Sequence, residues 1–166
     1  MTRSKLLSVG TLCICCAICL YSGRAQTAHQ LRDVKRIYVG SLGNKAGADQ
    51  LRKDLLNELR RSKFTQLAPS PASADAAVTG TGEMWIKGYY SLNPRAGVVP
   101  RNGTPVYGGS LSIELVGKDK ETLWSYLVTP RVSSTNVARD LCRELVRQLD
   151  AAIERDQASK QPPPRS

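Results

Sequence analysis

Histidine is nearly missing from this chain: His29 is the single imidazole in 166 residues. A hydrolase needs a nucleophile with a base, two placed carboxylates, or a metal cage. Each route lacks parts here, because Asp33, Asp54, Asp75, Asp119 and Asp140 scatter across strand starts, turns and helix faces without a paired acidic motif. Cysteine is scarce in the same way. Cys13, Cys15, Cys16 and Cys19 crowd one apolar run near the start, which leaves Cys142 alone in the remainder. One thiol cannot close an intramolecular disulfide, so the core must hold the fold. Cys142 recurs with Leu141, Leu145 and Leu149 at helical spacing and reads as a small buried hydrophobe. The glycine-rich stretch from Gly40 to Lys45 has neither the spacing of a phosphate-binding loop nor a Ser or Thr after the lysine, so it reads as a strand-to-helix turn. The expectation is a non-enzymatic chain with no catalytic, cofactor-binding or metal-binding residue. No internal repeat is visible.

What is present begins with a leader. Arg3 and Lys5 precede an uncharged apolar run from Leu6 to Leu20, and Gly23-Arg24-Ala25 places small residues at cleavage distance. The run falls short of the roughly 20 residues that span a bilayer. Residues 1–25 therefore read as a signal peptide, with the mature chain starting at Gln26 and working in the periplasm or outside the cell. The alternative is a retained anchor over residues 6–21. Lipidation is unsupported, since Cys15 follows Ile14 and Cys19 follows Ile18, where a small residue is needed. Cleavage removes Arg3, Lys5 and Arg24 and leaves a net charge of about +7. Outside the cytoplasm, such a balance favours anionic lipid headgroups, polysaccharide or an acidic protein face, and argues against nucleic acid.

Residues 26–32 form a short segment ahead of one α+β domain over residues 33–155, and residues 156–166 form a Pro-rich tail without apolar residues to order it. Within the domain, residues 34–40 alternate as a strand. Ala48, Leu51, Leu55, Leu56 and Leu59 mark an amphipathic helix that stops near Ser62. Phe64 to Leu67 reads as a short extended return, and Ala76 to Tyr90 as a long strand of period two. Residues 91–105 read as a long irregular connection. Residues 109–116 and 122–128 form a hairpin closed by Gly117-Lys118-Asp119-Lys120-Glu121, and a final helix carries Val137, Leu141, Leu145, Leu149 and Ile153 on its apolar stripe. The order β-α-β-β-β-α predicts a two-layer sandwich, a four-stranded mixed sheet with two helices on one face.

That architecture leaves one sheet face open. If Ile37, Met84, Ile86, Leu111, Ile113, Leu115, Leu123 and Leu127 point to the helices, then Arg36, Tyr38, Trp85, Lys87, Tyr89, Trp124 and Tyr126 share the other side with Ser112 and Glu114. Exposed rings mark a partner surface, and those seven residues are the candidate partner-binding set. The competing expectation is a ladder of cross-strand aromatic pairs or a cover formed by the 91–105 connection. Arg139, Arg143 and Arg147 repeat along the last helix and read as a solvated face.

The words "VKRIYVGSLGN", "LRKDLLNELRRSKFTQL", "ADAAVTGTGEMW", "LSIELVGKDKETLW" and "NVARDLCRELVRQL", in this order over about residues 33–150, resemble the amino-terminal domain of TolB and the related CsgG-like and LpoB-like modules of bacterial envelope proteins. No propeller follows, and residues 91–105 are longer and richer in proline than the usual connection. The resemblance implies a periplasmic adaptor. The sequence thus predicts an exported protein-binding or assembly adaptor acting through the aromatic open face, or alternatively a binder of anionic polysaccharide or lipid through its basic surface.

Overall fold

The computed structural model describes residues 31–90 and 103–159. The proposed leader, residues 26–30, most of the 91–105 connection and residues 160–166 lie outside them. A 3-10 turn at Leu31–Asp33 leads into β1 (Arg36–Val39), α1 (Ala48–Leu59), β2 (Gln66–Leu67), a second 3-10 turn at Pro71–Ser73, β3 (Ala76–Tyr90), β4 (Thr104–Gly117), β5 (Thr122–Val128) and α2 (Val137–Ala158). The sheet order is β2-β1-β3-β4-β5. β1 runs parallel to β2 and β3, and β3, β4 and β5 are antiparallel in sequence.

The fold is α+β with a mixed open sheet and two helices, and the sheet has five strands rather than the expected four. The extra strand is the short return after α1. The Gln66 N–H donates to the Lys35 carbonyl (2.7 Å) and the Ala68 N–H to the Ile37 carbonyl (2.9 Å). Two residues are therefore enough to satisfy the outer edge of β1. Two boundaries also move. β4 begins at Thr104, earlier than the expected residue 109, because Pro105 and the Gly108-Gly109 pair sit inside the strand. α2 continues through Gln157 and Ala158, past the expected end of the domain, and the Asp156 carboxylate there accepts the Arg32 N–H at 2.9 Å.

Burial follows the alternation. Ile37, Val39, Ala76, Val78, Leu111, Ile113 and Leu115 from the sheet meet Leu51, Leu55 and Leu59 of α1 and Leu141, Cys142, Leu145, Leu149 and Ile153 of α2 in one core. Small residues let the layers approach: a Cβ on Gly82 would stand 2.7 Å from Leu51 Cδ1, and one on Gly109 would stand 3.2 Å from Leu141 Cδ1. Gly47 opens α1 at φ 81°, where side chains are disfavoured, and a Cβ there would strike Met84 Cε at 2.6 Å. The turn before it is woven into the sheet. Leu42 is buried, its carbonyl accepts the Gly82 N–H (3.0 Å), and the Ala46 carbonyl accepts the Met84 N–H (2.8 Å). Arg52 closes the same turn by donating from Nε to the Gly40 carbonyl (2.9 Å) and from Nη2 to the Val39 carbonyl (3.0 Å). Among the described residues, no helix is long and apolar enough to cross a membrane.

Candidate functional site

The seven residues expected to share the open sheet face do not stay together. Leu115 pairs with Trp124 and Ile113 with Tyr126 across β4 and β5. Leu115 and Ile113 are core residues, so both rings lie on the helix side, half-buried against the core. They stack on each other with centroids 5.8 Å apart. Leu127, expected inside, pairs with Ser112 on the open face and is 62% exposed. A strand apolar on both faces has no decisive period. The large rings gain more from burial at the margin of α2 than the smaller Leu127 would.

Tyr89 moves for a different reason. The β3–β4 register shifts between Ile86 and Gly88, leaving Lys87 as the extra residue of a bulge. A one-residue slip exchanges the faces. Tyr89 therefore pairs with Pro105, on the same side as Ile86 and Tyr107, while Trp85 and Tyr90 project from the other side. Of the expected set, Arg36, Tyr38 and Trp85 remain on the open face. Its central part is polar, carrying Thr79, Thr81, Glu83, Ser110, Ser112 and Glu114 in cross-strand register. Lys45 pairs there with Glu83 at 2.7 Å, and that hydrogen bond, helped by Ser110, holds the Glu83 carboxyl below its usual range against the opposing effect of burial.

The rings gather instead on an arm. Backbone bonding to the rest of the domain ends at the Met84 N–H on the β3 side and at the Tyr107 N–H, which donates to the Ser134 carbonyl (3.0 Å), on the β4 side. Beyond these points β3 and β4 continue to the Tyr90–Thr104 pair as a two-stranded ribbon. Among the described residues, neither outer edge of that ribbon has a further backbone partner. Trp85 is 48% exposed, Ile86 51%, Tyr89 40% and Tyr90 60%. The Trp85 ring lies over Gly108, where a Cβ would come within 2.8 Å of its Nε1. The sequence signal for the arm was available: Gly108 makes room for the indole, and the acid-free stretch from Met84 to Ile113 is long.

A second feature lies near the start of β1. A groove of about 740 Å³ is lined by Arg32, Lys35, Arg36 and Lys63 together with Asp33 and Asp75. Part of that cationic charge is already spent. Asp75 accepts the N–H groups of Lys35 and Arg36, and its carboxylate stands 3.4 Å from the Arg36 guanidinium and 3.8 Å from Lys118. Burial pushes the Asp75 carboxyl up, but these hydrogen bonds and the guanidinium outweigh it and hold the group below its usual value.

The remaining polar groups serve structure. Glu144 accepts from Arg147 at 2.6 and 2.8 Å and from Gln148, which brings its carboxyl down to about 2. Arg147 is therefore paired rather than free for an anion. Cys142 is buried, and its Sγ donates to the Leu51 carbonyl at 3.3 Å. Burial, then Asp54 and Glu58, push that thiol far up, which leaves it no nucleophilic character. Among the described residues, no group of three metal-ligating side chains converges.

No family model and no curated protein matches the chain, so the likeness to TolB-type and CsgG-like modules rests on the quoted words alone. Solved structures similar to it include a variant PelC dodecamer from Paraburkholderia phytofirmans, 19% identical over 70% of this chain and 88% of that one, with a TM-score of 0.47. A neuraminyllactose-binding hemagglutinin homolog from Helicobacter pylori is 10% identical, covering 79% and 91% of the two chains, with a TM-score of 0.43. Lipoprotein B from Nitrosomonas europaea is 13% identical over 78% and 88%, with a TM-score of 0.39. These likenesses assign no residue of this chain a role.

Proposed function

We propose that this chain is an exported, non-enzymatic binding module of the cell envelope, and that it holds its partner through the β3–β4 arm rather than through the flat face of the sheet. The observation that carries this reading is the exposure of Trp85, Ile86, Tyr89 and Tyr90 along a ribbon that continues beyond its last backbone bonds to the rest of the domain. Half-exposed rings and an isoleucine forgo roughly half of the about 1.5–3 kcal/mol that full burial of each would give. Four in one place mark a surface that is covered in use. The non-enzymatic part is supported by the single histidine of the sequence and by the scatter of its carboxylates. Export is supported by the leader-like residues 1–25.

The test is association with washed envelopes of the source cell. The double variant Ile86→Ser, Tyr90→Ser should remain folded, since both side chains are exposed, and should leave the envelope fraction for the soluble one. Unchanged association of a folded double variant would remove the arm from the account.

A further inference from the structure

Resting on the reading of the arm as the contact element, we infer that its partner is the interface of an anionic lipid bilayer, into which the ribbon inserts at headgroup depth. The first reason is that both faces of the ribbon are apolar. Trp85 and Tyr90 project from one side, and Ile86 and Tyr89 from the other. A flat protein partner would cover one side and leave the other wet. A bilayer interface surrounds the inserted element and covers both.

The second reason is composition. Trp and Tyr are the residues that settle at headgroup level, because the ring enters the acyl boundary while the polar tip stays hydrated. Three of the four exposed side chains are of this kind.

Charge supplies the third. Among the described residues of the ribbon, 84–90 and 104–113, Lys87 is the one charged side chain and there is no Asp or Glu, although the chain carries 14 acidic residues in all. Lys87 stands at the bulge, between the apolar side chains of the arm. A carboxylate at this position would be repelled by anionic lipid, whereas each Lys or Arg near such a surface gains about 1 kcal/mol.

Depth follows from the backbone. Among the described residues, the outer edges of the ribbon carry no backbone hydrogen-bond partner, and each unpaired amide or carbonyl costs several kcal/mol in hydrocarbon. The ribbon therefore stays among headgroups and water, at the boundary of the acyl chains, rather than crossing into hydrocarbon. The start of the domain lies elsewhere. Arg32 is tied to Asp156 in the last turn of α2, whereas Ser134, just ahead of α2, is bridged to the root of the arm. α2 has 22 residues and separates the two by about 33 Å. The root of the arm and the start of the described domain thus lie at opposite ends of α2.

The experiment uses the full chain carrying Trp124→Phe, which leaves Trp85 as the only indole. Mixed with vesicles of phosphatidylglycerol and phosphatidylcholine, the Trp85 emission should shift to the blue and be quenched by lipids brominated near the headgroup end of the acyl chain. Pure phosphatidylcholine vesicles should give little of either. Lys87→Glu should weaken the response about tenfold, and so should Ile86→Ser, with circular dichroism unchanged in both. Co-sedimentation with anionic vesicles without a shift or quenching of Trp85 would overturn insertion, since the leader or general charge would then account for binding. Envelope association that depends on the arm while Trp85 ignores every vesicle would overturn the lipid assignment in favour of a protein partner, and the reading of the arm as contact element would stand. Envelope association indifferent to the arm would sink both.

Discussion

Trp124 and Tyr126 stack with their rings 12° from parallel on the side of the sheet that α2 covers. Trp85, the other tryptophan, stands 48% exposed on the arm. The two indoles therefore do different work. Trp124→Ala should lower stability by about 2–4 kcal/mol, because it removes a half-buried ring and its stacking partner's contact. Trp85→Ala should stay within about 0.5 kcal/mol of the parent, as exposed positions usually do. Urea unfolding followed by circular dichroism separates them, and envelope association should respond in the opposite order.

The glycines of β3 supply a second contrast. A Cβ on Gly80 would meet the Ser112 carbonyl oxygen at 2.1 Å, backbone against backbone, at φ 153°. Gly88, past the bulge, has open space around the same construction. Gly80→Ala should cost about 1–3 kcal/mol or more from overpacking, whereas Gly88→Ala should be nearly neutral. Equal denaturant midpoints for the two variants would contradict the β3–β4 register.

Much of this architecture was legible in the residues. Period-two alternation located β3 from Ala76 to Tyr90 with both ends correct. The leucine spacing located α1, and the stripe from Val137 to Ile153 gave the buried side of α2. What escaped depends on tertiary partners. The return at Phe64 to Leu67 reads as extended in the sequence, but its place in the sheet as β2 depends on the open edge of β1. The bulge at Lys87 has no local mark, yet it moves Tyr89 to the other face. In β5 both faces carry apolar residues, and the pairing of Trp124 with Leu115 and of Tyr126 with Ile113 turns the rings inward and Leu127 outward. The aromatic residues stand out in the sequence, but their grouping on the arm depends on the β3–β4 register.

Cys142 gives a probe of global opening. With its thiol buried, raised by burial and bonded to the Leu51 carbonyl, alkylation should be slow in the native state. Its rate, read by peptide mapping at this site, should rise with urea along the same curve as circular dichroism. Fast labelling in native buffer would contradict the placement of the thiol in the core.

Asp150 should make stability depend on pH in an identifiable direction. Burial raises its carboxyl above 3.8, and the hydrogen bond from Ser62 Oγ at 2.7 Å offsets only part of that. A group raised in the folded state gives its full contribution below the unfolded value and loses it as pH rises through the folded one. Asp150→Asn keeps an acceptor for Ser62 and removes the charge. The variant should therefore be more stable than the parent at neutral pH, with the gain shrinking as pH falls toward 3.8. Thermal unfolding of both proteins across that range checks the sign.

The assignment of contact to the arm is tested most directly by photo-crosslinking in the living envelope. A photoreactive phenylalanine analogue would replace Tyr90 at the arm, or Leu127, which is 62% exposed on the open face of the sheet. Adducts are expected from position 90 and none from position 127, with lipid as the attached species. Adducts from position 127 with none from position 90 would place the partner on the sheet face and contradict the assignment.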